Sequence, residues 1–220
     1  MNYQELTQIC VDEFGKDTAQ WVGRYKRLLN RANRTVINAK DWPFMRDYAN
    51  TFNTADGTEQ YTLTETNVKK LLNLRITTDS AEKKLYPTNY TAFTEQYPHV
   101  DTSTEKGVPN IFYPQGRSST YQLIVNLFPV PDAVYAMQYD FVKEATEMTD
   151  SSDTPDFPEA YHDILIDYVL WKSYQHVRDL NTAQQYQSDF REGLHQMMGD
   201  YQLNESSGLQ EIYYDGEETE

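Results

Sequence analysis

Apolar residues recur with helical spacing at both ends of the chain and with strand-like spacing in the part between Met45 and Glu147. Residues 2–14 and 18–40 predict two helices. Gly15 is expected to end the first helix, and Asp17 or Thr18 to cap the second. The predicted buried face of the second helix comprises Trp21, Tyr25, Leu28, Ala32, Val36 and Ala39.

Two further helices are predicted after residue 157. Residues 158–178 form a segment that is apolar nearly all round, which is typical of a helix covered on more than one side. Pro158 is expected in its first turn. A fourth helix is expected to start at a cap formed by Asn181 or Thr182 and to end at about Tyr201.

The middle of the chain predicts β-structure. The stretch 51–64, with Asp56 and Gly57 inside it, indicates a hairpin. The remaining predictions are a strand pair at 68–78 and 84–86, a short helix at 89–97, a loop at 101–107, and three strands at 111–114, 121–127 and 134–142.

Neither helical end can bury its apolar face alone, so the two ends are predicted to pack together. The predicted fold class is α+β. Residues 1–48 and 149–201 form an antiparallel helical bundle, residues 49–148 an inserted antiparallel β domain, and residues 202–220 an extended C-terminal arm. Trp42 and Phe44, beside the helix-ending Pro43, are expected to anchor the junction to the core.

Charge is distributed unevenly along a chain whose net charge is −15. Arg24, Arg27, Arg31 and Arg34 fall within one narrow sector of the second helix, opposite its predicted buried face. Three interpretations of this arginine stripe remain open: a solvated face, a contact with acidic patches on an identical subunit, or a contact with DNA phosphates.

The C-terminal segment combines an acidic run with bulky apolar residues. Seven acidic and no basic residues lie between Asp200 and Glu220. Leu209, Ile212, Tyr213 and Tyr214 predict a docking arm that orders on a partner. A disordered solubilising end is the alternative.

Patterns of catalytic or metal-binding residues are missing from the sequence, so no catalytic residue, metal or cofactor is predicted. The four histidines are scattered, and Cys10 is the only cysteine. Asp150, Asp153 and Asp156 lack the glycine and the glutamate of an EF-hand. Because acidic residues are plentiful, the sequence alone leaves open a carboxylate pair for glycan hydrolysis. No signal peptide and no membrane span are predicted.

Four short motifs occur in an order and spacing that resemble one protein family. They are Asp41-Trp42-Pro43-Phe44, residues 57–63 (GTEQYTL), residues 128–132 (FPVPD) and residues 153–163 (DTPDFPEAYHD). In this respect the chain resembles the head-to-tail adaptor proteins, also called neck or connector proteins, of tailed bacteriophages.

The resemblance implies a non-enzymatic subunit of a closed ring, usually of twelve copies. It implies contact with the portal protein through the C-terminal arm, contact with tail or nozzle proteins at the opposite end, and passage of double-stranded DNA without sequence specificity. The expected location is the neck of the virion, assembled in the host cytoplasm. Two other functions remain open: a stand-alone binding module that uses the β domain, and a carboxylate-dependent glycan hydrolase.

Overall fold

The computed structural model describes residues 1–78, 83–97 and 105–214, with side chains described as far as residue 202. The fold is mixed α+β. The chain divides into a helical unit, Met1–Met45 with Ala145–Glu220, and a β unit, Arg46–Glu144. The α-helices of the described residues are α1 (Tyr3–Phe14), α2 (Ala19–Ala39), α3 (Tyr90–Gln96), α4 (Asp163–His176) and α5 (Leu180–Tyr214).

The first two helices lie close to their predicted bounds. The side chain of Asn2 accepts a hydrogen bond from the Glu5 N–H in a capping box, and α1 ends at Gly15, whose φ of 72° a glycine adopts without strain. Thr18 precedes α2 but makes no side-chain capping hydrogen bond. The buried face of α2 comprises Tyr25, Leu29, Ala32, Asn33, Val36 and Ile37.

The predicted face of α2 was therefore partly wrong. Leu28 is only half-buried and Ala39 is exposed, whereas Leu29 and Ile37 are fully buried. The physical reason is that α2 packs against both α1 and α4, so its buried sector is broader and is turned toward Leu29 and Ile37.

Helix α4 contacts α1, α2 and α5, as its nearly continuous apolar circumference predicted. Its start differs from the prediction. Pro158 precedes a 3₁₀ turn at Glu159–Tyr161, and α4 itself begins at Asp163. A second 3₁₀ turn, Pro43–Met45, follows α2.

Helix α5 differs from its prediction at both ends. Asp179 caps it, because its carboxylate accepts hydrogen bonds from the N–H and the hydroxyl of Thr182. At the other end, α5 continues to Tyr214 and does not stop near Tyr201. No proline follows Leu180, and isolated glycines such as Gly208 weaken a helix without ending it. Part of the segment expected as an extended arm is thus helical, and residues 215–220 lie outside the described residues.

The strands of the described residues form two four-stranded sheets and one short pair. The first sheet has the order β1-β10-β3-β4 and the second β2-β8-β7-β5, while β6 pairs with β9. Their bounds are β1 (Arg46–Asn53), β2 (Gln60–Thr62), β3 (Val68–Ile76), β4 (Lys83–Lys84), β5 (Tyr86–Pro87), β6 (Lys106–Gly107), β7 (Ile111–Arg117), β8 (Leu123–Phe128), β9 (Val130–Pro131) and β10 (Ala136–Lys143).

The predicted hairpin at residues 51–64 is wrong. Strand β1 pairs with β10, whereas β2 pairs with β8 of the other sheet. The Asp56-Gly57 turn is present, but the strands before and after it diverge to separate partners. The pairing of β3 with β4 and the short helix α3 are as predicted. Leu74, Met137 and Phe141 from one sheet share a hydrophobic core with Val125 and Leu127 from the other.

Candidate functional site

Two asparagines of α2 hold the segment after Glu144 against the helical unit. The amide of the buried Asn33 donates to the Thr146 carbonyl at 3.0 Å and to the Asp156 carboxylate at 3.3 Å. Asn30 exchanges two hydrogen bonds with the Met148 backbone, at 2.8 and 2.9 Å. Together these hydrogen bonds of Asn30 and Asn33 fix the path of the loop along α2. Sequence reasoning missed both residues, although each interrupts the otherwise apolar or basic pattern of the helix.

The loop and α2 together form a groove of about 510 Å³. Lys26, Arg27, Arg31 and Arg34 line it, and these four residues are called the basic face here. Helix α2 carries five basic and no acidic residues. Arg27, Arg31 and Arg34 are exposed, and within the described part of the chain they make no side-chain hydrogen bond or ion pair. Their positive charge is therefore available to a partner.

Arg24 does not join the other three arginines of the predicted stripe. Its Nη2 donates to the Lys172 carbonyl of α4 at 3.4 Å, and its guanidinium carbon lies 5.7 Å from the centre of the Trp21 ring. Its Nε is buried without a hydrogen-bond partner among the described residues. Arg24 therefore ties α2 to α4, while Arg27, Arg31 and Arg34 face the groove.

A second groove, of about 240 Å³, lies where α1, α4 and α5 meet. It is called the acidic groove here, and it is lined by Ile9, Glu13, Asp163, Ile166, Asp167, Leu170 and Tyr186. Leu170 and Ile166 are buried, so the groove has an apolar floor, whereas Glu13 and Asp163 are exposed at its rim. Among the described residues, no lysine or arginine lines it.

Asp167 is the most perturbed carboxyl of this groove. Partial burial and the charges of Asp189 and Asp163 raise its pKa to about 6. In the described residues this carboxylate has neither a hydrogen-bond donor nor a cation. Sequence reasoning missed the groove because its residues come from three helices, although Asp163 and Asp167 stand one helical turn apart.

The acidic groove is small, and the described residues around it form no metal-binding group. Its volume is below the roughly 300–1,000 Å³ of sites that enclose small ligands. Among the described residues, no group of His, Cys, Asp or Glu side chains is arranged to hold a metal ion.

Two of the three aspartates of the loop at 150–156, Asp153 and Asp156, bind the backbone of the loop itself. Asp153 accepts hydrogen bonds from the backbone N–H groups of Thr149 and Asp150, which lower the pKa of its carboxyl. Asp156 accepts from the Thr146 N–H and from Asn33. These contacts explain the carboxylates without a calcium ion.

The junction residues lie in an aromatic cluster of the helical unit. Trp42 is fully buried, and its indole N–H donates to the Val36 carbonyl at 2.8 Å. Its ring stacks on Phe44 at 5.5 Å, and Tyr201 of α5 meets both rings edge-on. Of the arm residues, Leu209, Ile212, Tyr213 and Tyr214 fall on the helical backbone of α5. Their side chains lie outside the described ones.

Charged surfaces whose residues lack partners within the chain are typical of a protein that contacts other macromolecules. In this mixed α+β fold, the basic face lies on a helical unit that is otherwise strongly acidic. None of the described helices has the length and apolar character that crossing a membrane requires.

The chain belongs to the SU10 adaptor protein family, whose model matches residues 1–210. This is a family of phage head-to-tail adaptors, which confirms the resemblance carried by the four sequence motifs. Its members are structural proteins of the virion. No curated protein matches the chain.

Proposed function

We propose that this chain is a ring subunit of the neck of a tailed bacteriophage, where it joins the portal protein to the tail and encloses the DNA channel. Membership of the head-to-tail adaptor family is the observation that carries this proposal. A ring needs heterologous contacts, in which one surface of each subunit meets a different surface of the next. The basic face and the acidic groove are two different surfaces, and the charged groups that line them make no ion pair within the described part of the chain.

The acidic character of the chain fits a channel through which DNA slides. Tight binding to DNA arises from cations that neutralise phosphates, and a net charge of −15 opposes such binding over most of the surface. We propose that double-stranded DNA passes without sequence specificity and without tight ion pairs. The ring has twelve copies in this proposal, is assembled in the host cytoplasm, and contacts tail or nozzle proteins on the side away from the portal.

The C-terminal part of the chain is the proposed contact with the portal. Leu209, Ile212, Tyr213 and Tyr214 supply apolar groups within an acidic segment, a composition suited to docking into a groove. Met197 is the last fully buried side chain described in α5. Removing residues 205–220 therefore leaves the described core of the helical unit intact.

Electron microscopy of the purified chain mixed with portal tests the proposal. We expect the full chain to add a ring to the portal, and a deletion of residues 205–220 to fold but not to attach. A matched deletion of residues 215–220 removes four acidic residues and keeps the four apolar ones, so it should still attach. A chain that stays monomeric beside portal would instead act as a stand-alone binding module. Attachment of the longer deletion would assign portal docking to another surface.

A further inference from the structure

The helical unit carries two surfaces of opposite charge that cannot satisfy each other within one copy. The basic face lies on the side of α4 where Lys172 stands: burial and then the nearby charge of Arg31 lower the pKa of the Lys172 ammonium, and Arg24 of the same helix α2 donates to the Lys172 carbonyl. Asp167 lies five residues earlier in α4, which is about 140° round the helix from Lys172. The acidic groove therefore opens away from the basic face.

We propose that the basic face of one copy docks on the acidic groove of the next copy, and that this is the heterologous contact that closes the ring. This inference rests on the proposed ring function and adds to it the two surfaces that meet. The partner is a second copy of this chain because the two surfaces complement each other and lie on different sides of one unit, as a head-to-tail contact requires.

The net charges of the two sides are opposite, since four cations and Glu147 line the basic groove and three carboxylates line the acidic groove. Glu13, Asp163 and Asp167 line the acidic groove and Asp189 stands near it, while the basic face offers four cations. None of Glu13, Asp163, Asp167 and Asp189 makes a side-chain hydrogen bond or ion pair in the part of the chain that the structure describes. A guanidinium from a neighbour would supply donors to carboxylates that have none.

The floor of the groove gives the contact an apolar component. Leu170 is 2% and Ile166 8% exposed, and the half-buried Ile9 and Tyr186 border them. The aliphatic stems of arginines cover such surface well, and a guanidinium also stacks on a tyrosine ring. Exposed ion pairs contribute little affinity each, so the charges chiefly select the partner surface and its orientation.

A charge-swap experiment tests the contact on the full-length chain. One variant, Arg27→Glu with Arg31→Glu, reverses the basic face. The other, Glu13→Arg with Asp163→Arg, reverses the exposed rim of the acidic groove. All four side chains are exposed, so both variants should remain folded, as thermal denaturation can check. Asp12→Arg with Glu192→Arg is the matched control for the acidic-groove swap, because it makes the same change in net charge with exposed residues that do not line the groove.

Assembly is measured by mass photometry in solution and by electron microscopy on portal. Each swap alone places like charges opposite each other, and we expect association at least about 100-fold weaker than wild type. An equal mixture of the two swaps restores opposite charges at every contact, so it should assemble as alternating copies. The control should assemble as wild type does.

The outcomes distinguish a failure of the proposed contact from a failure of the proposed ring function. If either swap assembles alone as well as wild type does, or if the mixture fails to recover assembly, this pairing of surfaces is refuted while the ring function stands. If the wild-type chain itself forms no ring on portal, the proposed function fails.

Discussion

Replacing Asp167 with asparagine should stabilise the isolated subunit while weakening its assembly. The Asp167 carboxyl is half-buried beside Asp163 of its own helix, Glu13 of α1, and Asp189 and Tyr186 of α5, and no cation lines the groove. Its pKa is raised from 3.8 to about 6. The folded state therefore opposes ionisation, and the neutral amide of asparagine escapes this cost.

The size of the effect follows from linkage between protonation and folding. A difference between 3.8 and about 6 corresponds to roughly 3 kcal/mol, at about 1.4 kcal/mol per pKa unit. Because the carboxylate is partly exposed and screened by solvent, we expect about 1 kcal/mol. Since the folded pKa is the higher one, the wild-type chain loses stability as pH rises from about 4 to about 6. The advantage of Asp167→Asn is therefore complete at pH 7.5, smaller at pH 5, and absent below pH 4.

Urea denaturation of both chains at pH 7.5 and pH 5 measures this difference. The samples are kept dilute enough to be monomeric, because assembly would add its own stabilisation. Asp189→Asn serves as a comparison, since it removes one of the charges that act on Asp167. Equal stability of Asp167→Asn and wild type at pH 7.5, or a variant less stable than wild type, would refute the reasoning. Weaker ring assembly by the more stable variant would show that the carboxylate serves contact and not folding.

Two further predictions concern packing in the helical unit, and both are measured by chemical denaturation. Gly193→Ala should lower the free energy of unfolding by about 1–2 kcal/mol, because the new Cβ would lie 2.9 Å from Ile164 Cγ1. In the control Gly199→Ala, the new Cβ meets nothing within 4 Å, so the variant should be more stable than wild type by up to about 1 kcal/mol through helix propensity. A stable Gly193→Ala variant would contradict the close approach of α5 to α4. Trp42→Phe should lower the free energy of unfolding by about 2 kcal/mol, because it leaves the Val36 carbonyl without its indole donor and opens a void. Trp21→Phe, at a half-buried position, should lower it by less. Equal losses of stability in the two variants would count against the buried hydrogen bond.

The sequence predicted what depends on local pattern. The spacing of apolar residues placed α1 and α2 within a residue or two, and a single glycine marked the end of α1. Arg27, Arg31 and Arg34 of α2 are exposed, whereas Arg24 donates to the Lys172 carbonyl of another helix.

What depends on pairing between distant segments could not be predicted. Asp56-Gly57 is a turn signal that predicts a hairpin, but the sequence does not show which strands lie beside each other. β1 instead pairs with β10, more than 80 residues later. The acidic groove could not be predicted from the sequence for the same reason, since Glu13 and Asp167 come together only through the packing of α1 on α4.

Helix α5 runs unbroken for 35 residues, so the direction in which its far end points is set by its buried beginning. Each residue adds about 100° of rotation and 1.5 Å of rise. Losing one residue between Tyr201 and Leu209 would swing every later position about a quarter of the way round the axis, with almost no change in composition. Losing seven, close to two full turns, would nearly restore the original bearing and shorten the reach by about 10 Å. In this stretch, the number of residues has more effect than their identity on the direction in which the later residues of α5 face.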